Sequence, residues 1–65
     1  MAKYPNIVVQ LTGKDRNAFA IMGAVTQALR KAKVDPVEIK TFQEECRSGD
    51  YNHLLLTCMN WVTVE

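Results

Sequence analysis

Little in this sequence is in excess, and each scarcity removes a class of protein. Two cysteines, Cys46 and Cys58, in 65 residues allow at most one bridge. That excludes a secreted cysteine framework. His53 is the single histidine, so no His–His pair exists, and two cysteines without C-x-x-C spacing make a poor zinc site. Neither sign of charge dominates. Eight Lys and Arg stand against seven Asp and Glu, for a net charge of +1, whereas a nucleic-acid binder normally shows a strong basic excess on one face. No apolar run approaches the ~20 residues of a membrane span, and no charged segment leads into an apolar one as in a signal peptide. The expectation is a cytoplasmic chain with reduced cysteines, no membrane and no cofactor.

What remains is one small domain, residues 1–65. With 48% apolar and 23% charged residues, it has the composition of a folded chain and not of a disordered one. A chain of this size buries only roughly 60% of the surface its unfolded form exposes, so its stability is marginal. Disulfides, a metal or self-association are the usual remedies. With the first two poorly supplied, self-association is expected.

The segment NIVVQLT, residues 6–12, is rich in β-branched side chains. It reads as a strand with Ile7, Val9 and Leu11 on one face, Val8, Gln10 and Thr12 on the other, and Pro5 at its entry. NAFAIMGAVTQALRKAK, residues 17–33, reads as a helix burying Ala18, Phe19, Met22, Val25, Leu29 and Ala32. A second stripe, Ala20, Ala24 and Ala28 beside Gly23, is small enough for another backbone to approach. Arg30, Lys31 and Lys33 suit the negative end of the helix dipole.

Asp35, Pro36 and Glu38 give the spacing of an N-cap, first-turn proline and capping box. They open a second helix with Ile39, Phe42 and Cys46 inward, and Gly49 stands as its left-handed C′ residue. Asp50 then caps a third helix with Tyr51, Leu54, Leu55, Cys58 and Val62 on one face. From Trp61 onward, alternation of Val62 and Val64 with Thr63 and Glu65 marks a closing strand. The predicted fold is α+β in the order β-α-α-α-β, two short strands with three helices packed on one face. Two strands alone leave open edges, so the sheet is expected to be extended in a homodimer, through strand edges or the alanine stripe. Val8, Ala24, Leu56 and Trp61 are the candidate interface residues, although Trp61 serves equally to close a small core.

One stretch invites a ligand. Gly13, Lys14, Arg16 and Asn17 lie between the first strand and the first helix, where free backbone N–H groups and two cations suit a small anion. The same residues also make an ordinary turn, with Gly13 at positive φ and Asp15 or Asn17 as cap. The segment is neither a Walker A loop nor a G-x-G-x-x-G fingerprint. His53 and Cys58, five apart, point away from each other on a helix, and Cys46 reaches His53 only if the second and third helices fold back together. No catalytic residue is assigned.

The stretches LTGKDRNAFAIMGAV and SGDYNHLLLTCMNWVTVE resemble an uncharacterised family of very short proteins found in bacterial, phage and plasmid genomes. The shared pattern is Gly13, Asp15, Asn17, Ala18, Phe19 and then Ser48, Gly49, Asp50, Tyr51, His53, Leu54, Leu55; residues 34–47 match most loosely. Arg16 departs from it, since that position is typically glycine, and a positive φ there would strain arginine by ~1–2 kcal/mol. The resemblance implies a small soluble protein of a mobile element and carries no activity. The functional expectation is a non-enzymatic binding module that engages a host protein or a small anionic ligand. The alternative is a nucleic-acid-associated regulator using the basic turn at 30–33.

Overall fold

The computed structural model describes residues 2–11 and 17–65. Its elements are β1 (Tyr4–Val9), α1 (Ala18–Lys31), α2 (Pro36–Arg47), α3 (Tyr51–Trp61) and β2 (Val62–Val64). The fold is α+β in the expected order. The strands lie side by side and parallel, so the three helices together form the crossover that parallel pairing requires.

β1 starts two residues earlier than the sequence pattern indicates, and Pro5 lies inside it. The ladder accommodates the proline with an irregularity: Tyr4 pairs with Val62 and Val8 with Thr63. The Thr63 hydroxyl donates to the Pro5 carbonyl at 2.8 Å across this gap. Val9 is buried and Val8 is 53% exposed, so the predicted alternation of faces is present. Thr12 lies outside the described residues.

The core sits between the helices and the inner face of this sheet. Val25, Leu29, Phe42 and Cys58 are fully enclosed, with Ile21, Ile39, Leu54, Trp61 and Val62 around them. Each large apolar side chain removed from water contributes roughly 1.5–3 kcal/mol before entropy is counted. α2 presents Ile39, Phe42 and Cys46 inward as its spacing predicts.

On α1 the expected face is turned. Phe19 is 77% exposed, and Ile21 is buried in its place with Val25 and Leu29. The i, i+4 row 21-25-29 meets the core, and at 100° per residue position 19 falls well round the helix from it. On α3, Tyr51 is likewise open, while Thr57 and Trp61 are buried. Thr57 avoids an unmet hydroxyl by donating to the His53 carbonyl at 2.8 Å.

The helix ends correct two further expectations. Asp35 does cap α2, accepting from the Val37 N–H at 2.9 Å. Glu38, however, does not close a capping box: its carboxylate takes Lys3 and the Tyr4 hydroxyl. Gly49 is not in the left-handed region. Lys33 is, at φ 61°, as the C′ residue of α1. Its N–H donates to the Arg30 carbonyl at 2.9 Å and the Val34 N–H to Leu29 at 3.0 Å, the paired bonds of a Schellman motif.

Candidate functional site

Among the described residues, three places carry chemistry beyond simple packing. The first surrounds Trp61. Its indole N–H donates to Glu45 Oε1 at 2.8 Å, its ring meets Phe42 edge-on at a centroid separation of 5.6 Å, and Tyr4 lies tilted at 6.0 Å. Above it sits the Lys3 ammonium, 4.6 Å from the ring centroid and paired with Glu38. This hydrogen bond from Lys3 holds the Glu38 carboxyl below the usual carboxylate range and raises Lys3. Desolvation and the bond to Glu38 raise Tyr4. Trp61 is therefore 4% exposed and closes the core. The interface anchor expected at this position is spent within the chain.

The second place is the turn between α2 and α3. Asp50 caps α3 by accepting from the His53 N–H at 2.9 Å. The His53 ring turns back, so that Nε2 lies 2.9 Å from the Glu45 carbonyl and 3.0 Å from Ser48 Oγ. Ser48 Oγ itself donates to the Glu45 carbonyl at 2.7 Å. A ring nitrogen facing a carbonyl oxygen must carry the hydrogen, so Nε2 donates and does not accept the Ser48 proton. The pair brackets the end of α2, where orphan carbonyls need donors. A Cβ at position 49 would lie 2.6 Å from His53 Cγ, so glycine is required by close approach. Folding α3 back on α2 does bring the histidine to the end of α2, but onto its backbone.

The third place is a groove of about 280 Å³ at the start of α1, with Phe19, Met22, Cys46, Asp50, Tyr51 and Leu54 among its lining residues. Asn17, immediately before it, caps α1 by accepting from the Phe19 N–H at 2.8 Å. Its cap role matches the simpler of the two readings of that turn. Gly13, Lys14 and Arg16 lie outside the described residues. The structure therefore places one of the four anion-site residues, beside an apolar groove that the sequence pattern misses because Phe19 reads as core.

The remaining candidates are dispersed. Val8 stands on the outer face of β1 and Leu56 on the outer face of α3, 53% and 58% exposed. Ala24 is half-buried against the core. Arg30, Lys31 and Lys33 are exposed at the end of α1. Among the described residues no three His, Cys, Asp or Glu side chains gather as metal ligands, and no helix is long and apolar enough to cross a membrane. No family model, curated protein or solved structure matches the chain.

Proposed function

We propose that the protein is a small non-enzymatic binding module that pairs with a second copy through β1 and engages a partner protein or a small anionic ligand beside the start of α1. One observation supports the pairing above the others. The Val9 carbonyl and the Leu11 N–H both bond Glu65 on the β2 side. Because successive strand residues turn their backbone groups to opposite edges, those of Val8 and Gln10 face away from β2. Among the described residues the sheet has two strands, an arrangement that is marginal in water unless it is extended or covered. A second β1 laid antiparallel against this edge makes four strands and satisfies those groups. Phe19, 77% exposed, is available to a partner, and a mobile-element setting rests on the family resemblance alone.

Sedimentation equilibrium tests the pairing. The wild type is expected to sediment as a dimer and Gln10→Pro, which removes an outward N–H, as a folded monomer. A monomeric wild type at all concentrations overturns the proposal. The exposed cations at the end of α1 support the nucleic-acid alternative, which requires duplex binding that weakens steeply with added salt. Titration with a mixed-sequence duplex at low salt is expected to show none.

A further inference from the structure

We infer that the cleft between the end of α1 and the first half of α2 binds a small amphiphilic carboxylate, an anionic head on a short alkyl chain. Arg30, Val34, Pro36, Ile39, Lys40 and Gln43 line a cavity of about 610 Å³ there, a size ordinary for small-molecule sites. No Asp or Glu is among them. Neither Arg30 nor Lys40 has an ion pair or side-chain hydrogen bond to another described residue; the pair that does form joins Lys3 to Glu38. Two like charges lining one low-dielectric cleft focus their field into it, so the ligand it favours is an anion. Gln43 adds a third donor. Its Nε2 donates to Thr26 Oγ1 at 3.4 Å, and an amide nitrogen carries two hydrogens. The second has no partner among the described residues.

A bare anion would use only half of this lining. Ile39 is 6% exposed and Val34 half-buried, and both pack with the core. The local chain fixes their places. The Val34 N–H is tied to the Leu29 carbonyl at 3.0 Å, and Pro36 opens α2 behind the Asp35 cap. The apolar part is therefore preorganised, and little ordering is needed when an alkyl chain covers it. Phosphate would leave Val34, Pro36 and Ile39 bare, while a neutral alkyl chain would leave Arg30 and Lys40 unpaired. A carboxylate with a short chain meets both demands, with the head on the cations by charge-assisted hydrogen bonds.

This cleft lies at the other end of α1 from the groove beside Phe19, and no residue of β1 lines it. Failure of binding here therefore leaves pairing through β1 standing, and a monomeric protein leaves this site standing.

The test titrates the isotope-labelled full chain with octanoate, below the concentration at which it forms micelles, and follows amide shifts. Saturating shifts are expected at Val34, Ile39, Lys40 and Gln43. Affinity should rise about two- to fourfold per methylene from butanoate to octanoate. Octanol and inorganic phosphate, each lacking one half of the ligand, should bind about tenfold more weakly or worse. Arg30→Gln and Lys40→Gln should each weaken octanoate by roughly three- to tenfold. The wild-type comparison of octanoate with octanol and phosphate decides the matter if either variant folds poorly. Octanoate shifts that do not saturate, that centre on Phe19 and Tyr51 instead, or that survive both substitutions unchanged overturn the inference. So does octanol or phosphate binding as tightly as octanoate, or affinity that stays flat along the chain-length series.

Discussion

The ends of α1 and α2 make an instructive pair, because each uses the residue type the other is expected to need. α1 finishes in a full Schellman motif with Lys33 in the left-handed region at φ 61°. α2 finishes at Ser48–Gly49 without any left-handed residue, and its glycine makes room for the His53 ring. The lesson is that glycine near a helix end has two separable causes, backbone conformation and clearance. At α1 the conformation is needed and a lysine bears it, at the cost of strain. At α2 the clearance is needed and conformation is ordinary.

The largest effect should come from breaking the clearance. Gly49→Ala places a methyl group 2.6 Å from His53 Cγ, which forces the ring out and leaves the Glu45 carbonyl without its cross-turn donor. Overpacking of this kind costs about 1–3 kcal/mol, read as a lower urea midpoint. In a His53→Ala background the cost of the same substitution should shrink without vanishing, since the ring carbons are gone but the Cβ of residue 53, 2.7 Å away, remains. Equal costs in both backgrounds would refute the clearance argument.

Lys33→Gly sharpens the other half of the comparison. Relief of the left-handed strain should raise stability by about 1 kcal/mol, and Lys33→Val should lower it, both by thermal melting. Asp50→Ala, which removes the cap accepted from the His53 N–H, should cost ~1 kcal/mol by the same measurement. The smallest effect belongs to the first turn of α2. Glu38 is held below its usual range by Lys3, so the pair stabilises the fold above the ordinary carboxylate range and that contribution is lost as pH falls through the lowered value. Glu38→Gln should flatten the acid side of the stability profile slightly, because the pair is well exposed to solvent.

Element order, the caps Asp35 and Asp50 and the inward face of α2 are legible in the sequence, since spacing and short-range side-chain bonds determine them. The buried face of α1 is less so. Phe19 satisfies the helical apolar pattern, yet tertiary packing selects Ile21, and periodicity alone does not say which of two adjoining rows meets the core. The Trp61 cluster draws on Lys3, Tyr4, Glu38 and Glu45, which are far apart in the chain and carry no shared spacing. The groove is hidden for the same reason as Phe19. His53 was separable from Cys58 by helical offset, but its seat on the Glu45 carbonyl depends on a glycine that reads as a C-cap.

The helical part of the molecule thus meets its own needs, while the sheet ends at an open edge, and the proposed pairing turns on that edge. The measurement that addresses it most directly is residue-resolved amide exchange at several protein concentrations. Pairing through β1 predicts that the Val8 and Gln10 amides become protected as concentration rises, while the Leu11 amide, bonded to the Glu65 carbonyl within the chain, is protected throughout. Val8 and Gln10 amides that exchange freely at every concentration would contradict it.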